Sequence, residues 1–535
     1  MGGSIPGQRR SRLSDTSVNL STETLTRRPC TCQHRAVSRS LRVAVLGGGP
    51  AGLTAARILK IGQPGCEVDV FERSRPEDTY GYGVGLRTDS LKRLSAADPD
   101  VGAAIEAAGL AIGTWTFRRE GEEVHALNQH GIGLSRSKLL AIFGSQAEAA
   151  GVRIHTGQTL TAGELEADVV IAADGVASAT RTSLAHELGA RVDASQLAYM
   201  WCGSEFDSGA MVLALVDTPC GPLAAHVMPY GPGQCTFQVD AHEDTLAGWG
   251  LEQPPDARAT TNFLETHFAE LLGGHSIETK RREWSSFATI TCDRWSAGRI
   301  VLAGDAAHTA HYTVGSGTGM AIDDGISLAE ALMGAGSPSE AFEFYEATRR
   351  PSVEHVQRRA ARSLLWWSTL AARIDLPLSQ LMVSYLSRTG GVKLPFIVNT
   401  NAALLADCLG RRFSGIDDLV TGTLALPLQR NGFVHPTRLF TDSDSAPSLM
   451  VAEKLEADDL LGLVGQACSI AASGATKVRL VGPPDRDAVL DRLDAAEQIR
   501  AKVQLSTIVT GPADVREDLA LGLLSNRTDL VELVS

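Results

Sequence analysis

The spacing of apolar positions changes several times along the chain. From Leu41, LRVAVLGGG is a continuous apolar run ending in glycines, PAGLTAARILKI follows with helical spacing, and CEVDVFER is a second short apolar run. That order predicts a βαβ unit whose parallel sheet is covered on both faces. LSRSKLLAIFGSQAEAAG predicts a further helix, and VRIHTG and ADVVIAADG further strands. Between about residues 190 and 290 the pattern turns to alternation. MVLALVD, AAHVMPYG and QCTFQVD predict antiparallel strands with one covered face. RIVLAGD returns to the buried type, and helical spacing runs from Gly319 to about Ser387. Glycine and proline punctuate the region after Thr389. The last hundred residues then alternate: helix Asp458 to Ala472, strand KVRLVG, helix DAVLDRLDAAEQIRA, strand KVQLSTIVTG, helix ADVREDLALGLLS, strand TDLVELV.

The expected fold is therefore α/β (α+β), with a Rossmann-like domain, an antiparallel sheet and a small C-terminal α/β segment. The expected divisions are a disordered tail over 1–40, a Rossmann-like first part over 41–190 and the antiparallel sheet over 191–290. The Rossmann-like domain returns with long helices over 291–420, and the C-terminal segment spans 421–535.

Charge and composition narrow the function. The 535 residues carry a net charge of −13, which disfavours general nucleic-acid binding. An acidic substrate needs a local basic pocket. The longest apolar stretch, SLLWWSTLAARIDLPLSQLMVSYL, is broken by Arg373, Asp375 and Pro377, so no stable membrane insertion is expected. Nine cysteines without paired spacing suit reduced thiols and a cytoplasmic protein. The first 40 residues are rich in Arg, Ser and Thr and read as a tail in preference to a targeting segment. CTCQH at Cys30 to His34 lacks a second ligand cluster nearby, and no metal site is expected.

Three separated motifs carry candidate chemistry. Gly47-Gly48-Gly49-Pro50-Ala51-Gly52 fits GxGxxG between a strand and a helix. Gly47 permits a tight turn, Gly49 lets a pyrophosphate approach, and Gly52 allows close helix–strand packing. Glu72 ends the second strand, 20 residues after Gly52, where a carboxylate can accept from ribose hydroxyls. The second motif, DVVIAADGVASATR, closes a strand at Asp174-Gly175 and places Arg181 after it. The third, GDAAHTAHYTVGSGTGMAIDD from Gly304 to Asp324, sets Asp305 at a strand end and glycines at a helix start, where backbone N–H groups and the helix dipole favour negative charge.

GGGPAG, ADGVASATR and RIVLAGDAAH in this order resemble the single-component FAD-dependent aromatic monooxygenases, closest to the branch of salicylyl-CoA 5-hydroxylase and 2-aminobenzoyl-CoA monooxygenase. RPEDTYGYGVGL, CDRWSAGRIVLAGDAAHTAHYTVGSGTGMAIDDGISLAEAL, FYEATRRPSVEHVQ and MVSYLSRTGG carry the likeness over about residues 41–420. The resemblance implies FAD as cofactor, NADH or NADPH as co-substrate and O2 as oxidant. It implies that Gly47, Gly49, Pro50, Ala51, Gly52, Glu72 and Arg73 hold the ADP half of FAD. Arg136 would meet the cofactor, Asp174 would lie near the pyrophosphate, and Asp305 would bind the ribityl or pyrophosphate region. Gly315, Ser316, Gly317 and Thr318 would face the flavin ring. Where broad members carry proline before these glycines and asparagine after them, this chain has His311-Tyr312 and Gly319.

The implied reaction is hydroxylation of an electron-rich aromatic ring, with the flavin carrying the chemistry and the protein supplying position and dryness. His311 and Tyr312 are the catalytic candidates. His311 can accept a proton from a substrate hydroxyl or amine, or simply pack under the flavin loop. His308 is expected to be structural. The substrate is expected to be an aryl-CoA or carrier-bound aryl thioester. The alternatives are a free aromatic compound such as tryptophan or a phenolic acid, and a non-catalytic flavin-binding scaffold. Arg349, Arg350, Arg358, Arg359 and Arg362 offer a basic strip for phosphates on one helix, or a solvated face. Trp366 and Trp367 are expected in a core or subunit contact, and a homodimer is expected. GFVHPTRLF and TDLVELV resemble the start and end of an old-yellow-enzyme-like barrel. A full (β/α)8 barrel takes about 250 residues. A remnant without its own flavin is therefore expected.

Overall fold

The computed structural model describes residues 41–75, 81–251, 257–279, 284–430, 433–441, 446–452, 455 and 457–534, with the side chains of 128–130, 257, 457 and 458 excepted. The 1–40 segment with its CTCQH cluster, and residues 76–80 of RPEDTYGYGVGL, lie outside the described residues. Contacts divide the chain between Ser40 and Leu41, and all that follows concerns the second unit.

A six-stranded sheet runs in the order Ser296–Ala297, Ile300–Leu302, Val169–Ala172, Arg42–Leu46, Glu67–Glu72, Arg153–Thr156. Its pairs are parallel except the first. The helix Pro50–Gly62 starts on proline after Gly49 and buries Ala51 through Leu59. Helix Gly317–Gly334 packs against it. A Cβ at Gly325 would stand 2.6 Å from the Ala51 carbonyl oxygen, so glycine sets how closely the two backbones approach. At Gly319 a Cβ would stand 2.4 Å from Ser90 Oγ, which accounts for glycine at this position by packing against helix Thr88–Ala97.

The second sheet has nine strands. Its path is Ile277–Glu278, Arg191–Ser204, Gln234–His242, Leu223–Gly231, Met211–Val216, Leu110–Arg119, Glu122–Ser135, Gly83–Arg87, with Ser285–Thr291 also on Arg191–Ser204. Three of these strands precede residue 190, so the sheet is not confined to 191–290 as expected from the alternation. The earlier strands join it because Leu110–Arg119 pairs in parallel with Met211–Val216, a long-range choice that no local pattern encodes.

The helix Pro338–Ser368 packs beside both sheets and leads into Leu378–Ser387 and Leu394–Leu409. Trp366 and Trp367 are buried in this helical core, and Trp366 Nε1 donates to Ser384 Oγ at 2.9 Å. Among the described residues no helix is long and apolar enough to cross a membrane.

The C-terminal segment forms four parallel strands in sequential order: Ser448–Met450, Lys477–Val481, Ser506–Pro512 and Leu530–Val534. Helices Ala457–Ala472, Arg486–Lys502 and Arg516–Leu524 connect them. The order matches half of an eight-stranded barrel. One face packs on the helices. Leu428 and Phe440 cover Ile508 and Leu530 on the other. A buried ionic network fastens this segment to the long helices: Arg362 reaches Asp491 (2.7 Å) and Asp494 (3.2 Å), Arg373 reaches Glu497 (2.6 Å), and Arg527 reaches Asp494 (2.5 Å).

Candidate active site

A cavity of about 1650 Å³ opens between the two sheets and the helices behind them. Drug-sized ligand sites occupy about 300–1,000 Å³. This one therefore has room for more than one ligand at a time.

One end is made of backbone. Gly47 takes φ +102°, and a Cβ there would stand 2.1 Å from the Ala173 carbonyl oxygen. A Cβ at Gly49, Gly315 or Gly317 would meet nothing within 4 Å. Gly47, Gly49 and Pro50 line the cavity at the start of one helix, and Gly315, Ser316, Gly317 and Thr318 at the start of another. Two helix N-termini, open because side chains are missing, suit an anionic and planar cofactor. The polar groups fit as well. The Ser316 hydroxyl and Asp174 Oδ1 are buried without a hydrogen-bond partner. Asp174 Oδ2 accepts from the backbone N–H and hydroxyl of Thr180, both at 3.1 Å. Arg73, Arg136 and Asp305 also line the cavity. Asp305 stands exposed to the open cavity, and the protein crowded around that end pushes its carboxyl up, opposed by the nearby charges of His308 and Arg136.

Glu72 is committed in part to the loop itself. Its carboxylate accepts from the backbone N–H of Gly48 at 2.7 Å and of Ser74 at 2.8 Å. A carboxylate has about four acceptor positions, so capacity for ribose hydroxyls remains. Ala51 and Gly52 are not on the cavity wall. A Cβ at Gly52 would stand 2.2 Å from the Gly47 carbonyl oxygen, which makes it a packing glycine, and Ala51 is buried between helices.

The motifs are bolted together by side chains other than the expected cofactor ligands. Asp324, fully buried, accepts from Gly304 N (2.9 Å) and Arg349 Nε (2.8 Å) and lies 2.7 Å from His308 Nε2. His308 and Arg349 hold its pKa below the usual carboxylate range, overcoming burial. Arg181 donates to the carbonyls of Ala306 (3.1 Å) and Val176 (2.6 Å) and so ties the second motif to the third.

The other end is made of side chains from the nine-stranded sheet. Tyr199, Trp201, Met211, His226, Met228 and Gln238 line it, with Phe287, Tyr312 and Tyr385. His226 Nε2 lies 3.0 Å from Asp240 Oδ2 but outside hydrogen-bond alignment, and Gln238 Nε2 donates to Asp240 Oδ1 at 2.9 Å. The Tyr312 ring leans on Tyr199 at 5.0 Å. Burial, and then the Asp240 charge, push the Tyr312 phenol well above its ordinary pKa. A His–Asp pair facing a phenol in a mostly apolar chamber can accept and pass a proton.

His311 stands behind this wall. It is 1% exposed, packs edge-on to Phe287 at 4.9 Å, and has Nδ1 3.1 Å from Thr313 Oγ1. It does not line the cavity, and burial lowers its pKa to about 4. Of the two catalytic candidates only Tyr312 reaches the chamber. The two rings pack on each other, centroids 4.2 Å apart, so His311 lies one layer behind Tyr312 and not on the other side of the turn. Sequence reasoning does not single out His226 and Asp240, though a signal exists: His226 interrupts the mostly apolar LAAHVMPYG, and Asp240 is the one carboxylate in QCTFQVDAH, where the other polar residues of the alternation are uncharged or histidine. Among the described residues no cluster could hold a metal ion.

A family model described as an FAD binding domain matches residues 124–360. The chain is 31% identical over 531 residues to a salicyloyl-CoA 5-hydroxylase from a Streptomyces species, covering 92% of this chain and 99% of that protein. It is 34% identical over 352 residues to a 3-hydroxy-4-methyl-anthranilyl-(aryl-carrier protein) 5-monooxygenase from Streptosporangium sibiricum, covering 66% and 95%. Among solved structures, 2-methyl-3-hydroxypyridine-5-carboxylic acid oxygenase shares the fold with a TM-score of 0.52 at 21% identity, covering 70% of this chain and 99% of that one. The first match is long enough that it must include the C-terminal α/β units. This chain belongs to the FAD-dependent aromatic monooxygenases: it binds FAD and uses NAD(P)H and O2 to hydroxylate an aromatic substrate.

Proposed function

We propose that the enzyme hydroxylates an aromatic ring presented as a thioester, on CoA or on a carrier protein. The observation that carries this reading is the 31% identity to a salicyloyl-CoA 5-hydroxylase, sustained over 92% of this chain. The second relative, which acts on a carrier-bound anthranilyl group, supports it. A cavity larger than one cofactor or one small acid requires is consistent with a long substrate. We further take the enzyme to be a cytoplasmic homodimer; the seven described cysteines are unpaired, which suits a reducing compartment.

In this reading Gly47, Gly49, Pro50, Glu72 and Arg73 hold the ADP half of FAD, with Ala51 and Gly52 packing behind them. Arg136, Asp174 and Asp305 line the middle of the cofactor, and Gly315 to Thr318 offer backbone donors to its ring system. FAD, when bound, supplies reduction by NAD(P)H and activation of O2. The chain supplies the rest. Tyr199, Trp201, Phe287 and Tyr385 exclude water from the ring. His226 takes the proton of a ring hydroxyl or amine, and Asp240 steadies the resulting imidazolium while Gln238 fixes its other oxygen. Tyr312 adds a phenol within reach of Asp240. Removing that proton raises electron density on the ring, which favours attack on an electrophilic oxygen.

The test is NAD(P)H consumption and product analysis with salicyloyl-CoA, free salicylate, or no aromatic. Hydroxylated product from the thioester alone is the expected result. Preferential hydroxylation of the free acid overturns the thioester reading, and peroxide without product from every ring overturns catalysis.

A further inference from the structure

The basic strip expected along helix Pro338–Ser368 is not a surface. Arg349 is held by Asp324, Arg350 by Glu346, and Arg362 by Asp491 and Asp494. Arg358 is exposed. Of the five, only Arg359 lines the cavity, where Arg87 and Arg388 line it too. Three guanidiniums from three distant parts of the chain thus share one wall of a protein whose net charge is −13.

Among the described residues, neither Arg359 nor Arg388 has a carboxylate partner. Arg388 is 8% exposed and donates only to neutral oxygens among the described residues: Ser363 Oγ (2.8 Å) and the carbonyls of Tyr385 and Thr313 (both 2.7 Å). Its guanidinium also lies 3.8 Å from the centre of the Tyr385 ring. Arg359 Nε is buried with no acceptor. Burial and the charges of Arg87, Arg388 and Arg362 all push the Arg359 pKa down, so these cations feel one another. Asp89 tempers Arg87, while Asp487 acts on Arg362 further along the helix and not on Arg359. Gly391 is shaped for the arrangement. A Cβ there would stand 2.1 Å from Arg359 Nη2, so the SRTGG stretch uses glycine to let the guanidinium lie against backbone. Partly dehydrated cations of one sign are costly together unless an anion completes them.

We propose that Arg359 and Arg388 form the phosphate subsite for the phosphopantetheine arm of the thioester substrate. The inference rests on the thioester reading above. A phosphate offers several strong acceptors to forked guanidinium donors, and a second phosphate source, the reduced nicotinamide nucleotide, shares that chemistry.

Isothermal titration of the FAD-loaded enzyme separates the two. Salicyloyl-4′-phosphopantetheine, salicyloyl-pantetheine, free salicylate and NADPH are titrated into wild type, Arg359→Gln and the solvent-facing control Arg358→Gln. Wild type binds the phosphorylated thioester about ten- to thirtyfold more tightly than the phosphate-free one. Arg359→Gln removes most of that preference, and Arg358→Gln does not. The melting temperature of Arg359→Gln without ligand stays at or above wild type, because a like-charge repulsion has been relieved. Equal affinity of wild type for the two thioesters overturns the subsite. So does an Arg359→Gln protein that loses NADPH affinity while keeping the thioester preference, or one that melts markedly lower. Binding of free salicylate with no binding of either thioester instead sinks the thioester reading, and the subsite with it.

Discussion

The two ends of the cavity are built by opposite means. At the cofactor end, Gly47, Gly49, Gly315 and Gly317 work by having no side chain, and the donors are consecutive backbone N–H groups at helix starts. At the ring end, Tyr199, His226 and Gln238 from three different strands meet Tyr312 from a turn about seventy residues further on. Each patch of the backbone-made wall comes from a short stretch of chain. A side-chain-made wall comes from register, and only a folded sheet has one.

Substitutions that add atoms to the first wall, or remove polar atoms from the second, test this contrast. The largest effect is expected at the first. Gly47→Ala must fit a Cβ against a carbonyl oxygen 2.1 Å away at φ +102°, so the protein should purify without FAD or not fold at all. FAD content by absorbance after denaturation reads this directly. Next is the bolt behind that wall. Asp324→Ala strands buried Arg349 and His308 and should lower unfolding free energy by about 3–5 kcal/mol in urea titration.

Acid should act more weakly, through His311. Its pKa, about 4 in the fold against 6.5 ordinarily, means that the unfolded chain takes up a proton across that window while the fold does not. Stability is full above 6.5 and falls as pH drops toward 4, by about 3 kcal/mol in total. Asp494, pushed up to about 6, acts in the opposite sense between its ordinary 3.8 and 6. The His311 contribution is therefore the slope lost in His311→Asn relative to wild type, each unfolded in urea from pH 7 to 4.5.

At the ring end, His226→Gln should leave FAD content unchanged and lower hydroxylation about a hundredfold, with peroxide replacing product. Normal coupling in that variant would remove His226 from the proton path. The smallest effect is expected for Tyr312→Phe, a loss of about two- to tenfold in kcat for one hydrogen-bonding group. An equal or larger loss than in His226→Gln would reverse their order of importance.

The same contrast explains how much of the site is legible in the amino-acid sequence. GGGPAG with its flanking strand and helix, Glu72 at the second strand end, and the glycines after RIVLAGDAAH are local patterns, and all but Ala51 and Gly52 among the cofactor-end candidates reach the cavity or its loop. The ring end resists such reading because its signal is a polar residue on a buried strand. His226 and Asp240 show this only once Leu223–Gly231 and Gln234–His242 are paired in register. His311 and Tyr312 are neighbours in sequence, yet one is sealed behind Phe287 and the other faces the chamber. The arginine strip fails for a related reason: helical spacing places five guanidiniums along one element, but partners on other turns and elements claim three of them.

Sequence alone determined the βαβ unit around Arg42–Glu72, the alternating strands and helices of the C-terminal segment, the parallel glycine-rich cofactor end and the family of chemistry, because turns, helix starts and close backbone approaches depend on residues a few positions apart. Tertiary structure decided which strands before residue 190 join the second sheet, which histidine lines the chamber and which cavity-lining arginine keeps a nitrogen without an acceptor. Those outcomes are set by contacts between residues tens to hundreds of positions apart, where the energy lies in pairing and burial and no local pattern records it.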